Sequence, residues 1–317
     1  MQSKVPKYIV AVSGGVDSVT LLDLLAKKKL AEFTKNQQLL EPEYKIVVTH
    51  FDHGIRQNSC DDAVFVEKLA ISYGFEFELG KAELGFNASE AEARKHRYNF
   101  LRKCCKKNNT SIIITAHHQD DLIETAIINL VRGTSWRGLS SLKAKSNFED
   151  VAIIRPLLGV NKQQIKDYAK NNILNWVEDP TNSDQDYLRN YVRLTLIPKI
   201  MKKNFGSMAE LLKIIKSTQN LQIEINHEIN QIIGENKTLN SNEALMKRYD
   251  FIMWPEIVAR EVIYTLLRNL DIDWHPSKLQ IIRALHFIKS GLPGKQLELG
   301  GGLQLHLTDS TVQFKKC

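Results

Sequence analysis

Cysteine is scarce in this 317-residue chain, with Cys60, Cys104, Cys105 and Cys317 the whole complement. No C-x-x-C pair occurs, so neither a zinc spacing nor the framework of a small disulfide-stapled protein is present. Free thiols in a reducing compartment are the expectation. Long apolar runs are also missing. None approaches the roughly 18 residues needed to cross a bilayer, and Met1 to Lys7 is polar rather than a secretory leader. A soluble, cytoplasmic chain without a membrane partner is therefore expected. There is no internal repeat and no low-complexity tract. Composition is that of an ordinary globular protein, 43% hydrophobic and 25% charged. The length suits two domains. A net charge of +7 and a pI near 9.0 suit a polyanionic partner as well as a lysine-rich surface.

The first half alternates strand and helix signals. Tyr8 to Val12, Lys45 to Phe51 and Ser111 to Thr115 read as buried strands, and Phe75 to Leu79 alternates with period two. Between them, Val19 to Leu25 repeats at helical spacing. Asp61 to Tyr73 reads as an amphipathic helix with Ala63, Val64, Leu69 and Ala70 inward. Ser89 and Glu92 make a capping box for a helix reaching Lys107, and a further helix starts near Asp120. This order predicts an α/β fold with a doubly wound parallel sheet, whose ligands bind beyond the carboxyl ends of the strands. After Asn204-Phe205-Gly206-Ser207 the pattern becomes helical, with helices to about Ile233, over 255–270 and over 276–290. Period-two stretches around Leu297, Leu303 to Leu307 and Val312 to Phe314 then predict a small β tail.

Three polar clusters follow strands: Ser13 to Ser18, His50 to Arg56 and His117 to Glu124. Ser13-Gly14-Gly15-Val16-Asp17-Ser18 stands between a strand and a helix. Glycines allow a sharp turn and close approach, and successive amides at a helix start form a nest for phosphate or pyrophosphate. Asp17 would repel bare phosphate, so Mg²⁺ between its carboxylate and phosphate oxygens is expected. The loop has no lysine and is not G-x-x-x-x-G-K-S/T, which disfavours kinase and GTPase loops. In the third cluster, His117-His118-Gln119-Asp120-Asp121-Leu122-Ile123-Glu124, Asp121 and Glu124 share a helix face. They could hold a metal ion or an ammonium group, or simply cap the helix. Arg132-Gly133-Thr134-Ser135-Trp136-Arg137-Gly138 is either a glycine C-cap or a pair of arginines holding phosphate beside a stacking tryptophan.

The loop resembles that of the N-type ATP pyrophosphatases, which cleave ATP between the α and β phosphates and leave AMP on a substrate oxygen. The remaining segments narrow the resemblance. These are His50-Phe51-Asp52-His53-Gly54-Ile55-Arg56, Glu92-Ala93-Arg94 with Arg97-Tyr98, the histidine and acid cluster, and Arg132-Gly133-Thr134 with Gly138-Leu139. After them come Arg155-Pro156-Leu157-Leu158, Trp176 to Asn182, and Tyr187-Leu188-Arg189-Asn190-Tyr191-Val192-Arg193 ahead of Pro198. In this order, over about residues 8 to 200, the chain resembles the tRNA(Ile)-lysidine synthetase family. The resemblance implies an adenine nucleotide alpha hydrolase-like catalytic domain over 1–204. It implies a mostly helical tRNA-binding domain with a β tail over 205–317.

It further implies an ATP-dependent carbon–nitrogen ligase acting on an isoleucine tRNA with a CAU anticodon. ATP would activate the 2-carbonyl oxygen of the wobble cytidine with loss of pyrophosphate, and the ε-amine of L-lysine would displace AMP to give lysidine. Ser13, Gly14, Gly15, Val16, Asp17 and Ser18 would hold the pyrophosphate end of ATP, with Asp17 on Mg²⁺. Asp17, His117, Asp121 and Arg189 would be catalytic, Asp121 and Glu124 would receive the lysine ammonium, and Arg97 and Arg132 would bind substrate. In the plainer reading, Tyr187 to Asn190 is a helix start with a solvated arginine. A homodimer is compatible with the sequence. A tRNA thiolase and a non-catalytic nucleotide-binding RNA protein are the rival readings, and the missing C-x-x-C weighs against the first.

Overall fold

The computed structural model describes residues 5–36, 40–54, 59–85, 89–134, 136–178, 184, 187–235, 238–239, 242–270 and 276–316. It divides into two compact units, 1–218 and 219–317. The strands of the first unit are β1 (Lys7–Ala11), β2 (Lys45–Asp52), β3 (Glu76–Lys81), β4 (Ile112–Ile114), β5 (Lys145–Phe148) and β6 (Val151–Ile154). They form one sheet in the order β3-β2-β1-β4-β6-β5, parallel throughout except for β5 at its edge. Its helices are α1 (Val16–Ala26), α2 (Leu30–Thr34), α3 (Ser59–Ser72), α4 (Glu90–Lys107), α5 (Gln119–Val131), α6 (Trp136–Leu139), α7 (Lys162–Asn171), α8 (Leu188–Tyr191) and α9 (Ile197–Lys203). The first part of α10 (Ser207–Glu235) also belongs here.

Strand periodicity explains why helices cover both faces. Tyr8, Val10, Ile46, Val48 and Ile114 point to one side and pack with Leu21 and Leu24 of α1, Val66 and Ala70 of α3, and Ile165 and Ala169 of α7. Their alternates Ile9, Val47 and Ile113 point to the other and meet Tyr98, Leu101, Cys104 and Cys105 of α4. The chain winds outward from β1 to β3 and returns to β4 on the other side of β1. That reversal is the topological switch point, and it opens a crevice at the carboxyl ends of β1 and β4.

Three details depart from the sequence reading. Val64 is 46% exposed, because the inward stripe of α3 runs through Ala63, Val66 and Ala70. The β5–β6 hairpin, which supplies the strand beside β4, was not expected. The unit boundary falls after Thr218 rather than at 204/205, because Met208, Leu211, Leu212 and Ile215 pack against α5 in the first unit.

The second unit has its own core. After α10 come β7 (Thr238–Leu239), β8 (Glu243–Lys247), α11 (Arg248–Met253), α12 (Glu256–Asn269), α13 (Lys278–Ser290), β9 (Gln296–Gly300), β10 (Leu303–Leu307) and β11 (Thr311–Lys316). The expected β tail supplies β9, β10 and β11 of a five-stranded antiparallel sheet, ordered β7-β8-β11-β10-β9, which β7 and β8 complete. Its inward residues Ala244, Met246, Leu303, Leu305, Val312 and Phe314 pack on Val262, Leu266 and Ile288. The helix starts follow local chemistry: Pro255 precedes α12, and Ser277 and Gln280 form a capping box on α13.

Candidate functional site

The switch-point crevice is a cavity of about 330 Å³. Ser13, Asp17 and Ser18 line it from the β1–α1 turn, Thr49 to His53 from the end of β2, Arg97 from α4, and Thr115, His117 and Asp121 from the β4–α5 turn. Strand ends and helix starts thus bring together groups that are distant in sequence.

The Ser13 to Ser18 turn has the backbone conformation its glycines predict. Gly14 has φ +90°, and Gly15, extended at ψ 161°, is the N-cap of α1. Because the N-cap is a glycine, no N-cap side chain takes the first amides of that helix. Ser18 is buried and donates to the Gly15 carbonyl at 2.9 Å, while its Oγ accepts the Ser13 N–H at 3.2 Å. The Gly14 carbonyl accepts the Val177 N–H at 2.9 Å, which ties the loop to the Trp176-Val177 segment. Asp179 to Asn182 of that segment lie outside the described residues.

Asp17 meets a partner absent from the sequence reading. Lys162, the first residue of α7, places Nζ 2.7 Å from both carboxylate oxygens. His118 Nε2 lies 3.6 Å from Asp17 Oδ2. Burial alone would raise the Asp17 pKa, but His118 and Lys162 outweigh it and hold the carboxyl below its usual range. His118 is the N-cap of α5. Its Nδ1 accepts the Asp120 N–H at 3.2 Å, and Asp121 Oδ2 accepts the His118 N–H at 3.0 Å. The ring proton therefore sits on Nε2, 3.6 Å from Asp121 Oδ2 as well as from Asp17. Burial disfavours a charged ring, yet these two carboxylates raise its pKa.

His117 behaves in the opposite way. Its Nδ1 lies 2.8 Å from Thr115 Oγ1. Burial, helped by Arg155, Arg97 and Arg94 and opposed by Asp121, pushes its pKa far down, so the ring is neutral at pH 7. Two further histidines line the cavity. His50 pairs through Nδ1 with the Val12 carbonyl at 2.9 Å and is lowered by burial. Burial, and then Arg97, lower His53 to about 4, and its Nδ1 has no hydrogen-bond partner among the described residues. Gly54 follows at φ +63°, where a Cβ would collide with the Ala82 carbonyl. Ile55 and Arg56 lie outside the described residues.

The sign of these shifts fixes an acid sensitivity. Between pH 6.5 and about 4 the unfolded chain protonates His53 and the folded chain does not. Stability therefore falls as pH drops through that window, by at most about 1.4 kcal/mol per pH unit for one such group. His53→Asn is expected to flatten the dependence of the urea midpoint on pH between 6.5 and 4. An unchanged slope would place the effect elsewhere.

The remaining expected residues separate into two groups. Arg97 is in the cavity lining, but Glu124 and Arg132 are not. Glu124 is 1% exposed, and both its oxygens are held by Arg193, from Nε at 2.6 Å and Nη2 at 2.9 Å. Burial raises its pKa, and Arg193 opposes the rise. Arg193 Nη2 also lies 3.6 Å from Asp121. Arg189 does not line the cavity either. It starts a short helix, as the plainer reading had it, but it faces α5 rather than solvent, with Nη2 3.2 Å from Thr125 Oγ1 and Nε 3.7 Å from Glu124. Arg132 is exposed at the C-cap of α5, at the opposite end of the helix from Asp121. The C-cap account holds for that loop. Gly133 has φ +71°, Thr134 bonds the Asn129 carbonyl, and Arg137 stacks on Trp136 at 4.7 Å.

Among the described residues no group of three or more His, Cys, Asp or Glu side chains forms a metal cage. Asp17 beside a phosphate nest suits Mg²⁺ that arrives on phosphate oxygens, since this ion keeps several waters and takes only one or two carboxylates.

A model of the PP-loop domain matches residues 1–200. The chain belongs to the PP-loop family. Among curated PP-loop relatives, the tRNA(Ile)-lysidine synthase of Anaplasma marginale (strain St. Maries) is 38% identical over 188 residues, 59% of this chain and 38% of the relative. The tRNA(Ile)-lysidine synthase of Bacillus cereus (strain ATCC 10987 / NRS 248) is 30% identical over 310 residues, 94% of this chain and 63% of that one. The chain thus spans 38% to 63% of the lengths of these two relatives. A solved structure, the U34-tRNA thiolase NcsA from Methanococcus maripaludis with its 4Fe–4S cluster, has the same PP-loop fold. It superposes with a TM-score of 0.52 at 19% identity, over 69% of this chain and 73% of that one.

Proposed function

We propose that this chain is a tRNA(Ile)-lysidine synthase, an ATP-dependent ligase that joins L-lysine to the wobble cytidine of an isoleucine tRNA with a CAU anticodon. The observation that carries the reading is the cavity in which Ser13 and Ser18 of the glycine loop, Asp17, a neutral His117 and Asp121 meet. A relative that matches 94% of the chain bears that name.

The amides of Gly14 to Ser18 receive the pyrophosphate end of ATP, and Asp17 would hold an accompanying Mg²⁺, which would neutralise phosphate charge. The cytidine 2-carbonyl oxygen attacks the α phosphorus, and the bond to the β-phosphate oxygen breaks, releasing pyrophosphate. Neutral His117 donates a hydrogen bond to the reacting phosphate without adding a full charge. Free lysine carries its ε-amine as ammonium, with a pKa of about 10.4, and must lose a proton before it attacks. Asp121, which lines the cavity, receives that ammonium. Glu124 acts through Arg193 rather than on lysine, since both its oxygens are already bonded. The amine then bonds to C2, the C–O bond to AMP breaks, and a proton leaves from nitrogen. Arg97 holds anionic groups of the substrate inside the cavity, and Arg132 contacts the tRNA backbone from its exposed position.

A thiolase reading has less support. Cys104 and Cys105 are buried in the core under α4, where burial pushes both thiols up to about 12, and Cys60 is on another helix. Such thiols are poor nucleophiles and poor cluster ligands.

The test is nucleoside mass analysis of an isoleucine tRNA transcript with a CAU anticodon, after incubation with the protein, Mg²⁺, ATP and lysine. The expected product is a cytidine heavier by one lysine less one water, formed only with both ATP and lysine present. Cleavage of ATP to AMP without that product would move the reading to another substrate of the same adenylating fold.

A further inference from the structure

We infer that Lys162 is the lysine the PP-loop itself lacks: it binds the β-phosphate end of the nucleotide, and Asp17 holds it in place until the nucleotide arrives. The inference rests on the reading of ATP as substrate.

Helices α1 and α7 lie side by side and parallel, joined by three rungs of identical offset. Lys162 meets Asp17 at 2.7 Å, Tyr168 Oη donates to Asp23 Oδ2 at 2.7 Å, and Lys27 Nζ donates to Asn172 Oδ1 at 3.4 Å. Each pair is 145 residues apart. The helices therefore run in register, and their N-termini open on the same side, at the phosphate nest. The start of α7 is pinned there. Asn161 and Gln164 form a capping box, the Lys162 N–H donates to Asp120 Oδ2 at 3.1 Å, and the Gln119 N–H donates to the Val160 carbonyl at 2.9 Å.

The lower contacts suffice to hold α7. Ile165 and Ala169 are fully buried against α1, and Asp23, also fully buried, takes both Tyr168 and Tyr73. The top rung is different. The side chains of Lys162 and Asp17 are 33% and 28% exposed, and ion pairs so open to water contribute about 0–1 kcal/mol. A lysine placed so accurately for so little stability points to a ligand.

The exchange is physically direct. Without nucleotide, Lys162 neutralises a carboxylate that would otherwise repel phosphate. When ATP enters, Asp17 would be the ligand for an accompanying Mg²⁺, which frees the Lys162 ammonium for the phosphates at the start of α1. As the α-phosphorus bond to the bridging oxygen breaks, the electron pair stays on pyrophosphate, beside the Lys162 charge. No proton needs to move.

The experiment is calorimetric binding of pyrophosphate, ATP and AMP, each with Mg²⁺, to the whole chain and to Lys162→Met. Loss of one charge-assisted contact predicts about 10- to 100-fold weaker binding of pyrophosphate and ATP, with AMP unchanged. Lys162→Arg should recover much of the loss. Equal weakening of all three ligands, or none, would overturn the inference. Failure of the unsubstituted chain to bind ATP or pyrophosphate would overturn the ATP reading itself, and the inference with it. Acylation footprinting of the unsubstituted protein gives a second readout, independent of how the variant folds. Pyrophosphate should protect Lys162 and AMP should not; protection by both alike, or by neither, counts against the assignment.

Discussion

Asp17→Asn is expected to lower ATP-dependent turnover by about 10²- to 10³-fold while leaving the fold intact. Asparagine has the same shape and can still accept from Lys162, so α1 and α7 keep their register through Tyr168 and Asp23. What disappears is a full negative charge at the mouth of the glycine nest, on the group proposed to hold Mg²⁺. The loss should persist at saturating Mg²⁺, because the variant has no anionic ligand to offer at that point. His118 would also lose one of the two carboxylates that raise its pKa. Pyrophosphate release in the presence of tRNA and lysine measures the effect, with a thermal melt as control for folding. Turnover within a few-fold of the unsubstituted chain would remove Asp17 from the catalytic machinery.

Arg193→Ala is expected to cost stability rather than chemistry alone. The change leaves Glu124, 1% exposed, without the guanidinium that holds both its oxygens. Breaking a buried pair by removing one partner costs about 3–5 kcal/mol. The lower end applies here, because Arg193 is 35% exposed and water can enter its place. Arg189, 3.7 Å away, offers partial compensation. The deficit should depend on pH with a definite sign. Burial already raises the Glu124 pKa, and removing Arg193 removes the main opposing influence. Glu124 in the folded variant then binds its proton more tightly than in the unfolded chain. The stability of the variant is therefore better kept below the unfolded value near 4.5 and is lost as pH rises through the higher folded pKa. Urea midpoints at pH 5 and pH 8 should show the larger deficit at pH 8, and Arg193→Ala with Glu124→Gln should recover much of it. A deficit independent of pH, or one not relieved by the second substitution, would mean that Glu124 is not the group left exposed to the loss.

The second of these effects was not foreseeable from the local pattern. Arg193 has no role in the sequence reading, and the family resemblance puts Glu124 on the lysine ammonium, on a helix face shared with Asp121. Helical spacing gives which side chains are neighbours on α5, but not what packs over them. The turn from Val192 to Leu196 is a π-helical turn between α8 and α9, and it lays Arg193 across Glu124. Lys162 was missed for a related reason. It lies 145 residues from Asp17, and only the packing of α7 on α1 brings the two together. A reader of the sequence could have asked which lysine serves a loop that has none, but nothing local answers the question. β8 shows the same limit in the fold. Glu243-Ala244-Leu245-Met246-Lys247 has helical propensity, yet pairing with β11 and burial of Ala244 and Met246 make it a strand.

What the residues by themselves determined was the alternation of buried strands and amphipathic helices, and with it the parallel sheet. They also determined the glycine turn at Ser13 to Ser18 and the acid-rich helix start after β4. These are local properties, set by side-chain period, by φ freedom at Gly14 and by the unpaired amides at helix starts. Tertiary structure alone decided that Asp121 faces the cavity while Glu124 is sealed under Arg193, that Arg132 is remote from the site, and that Lys162 stands at the nest. Each of these depends on which surfaces pack together across long loops, and the energy that selects that packing comes from the buried apolar faces of α1, α5 and α7, not from the polar residues whose places it fixes.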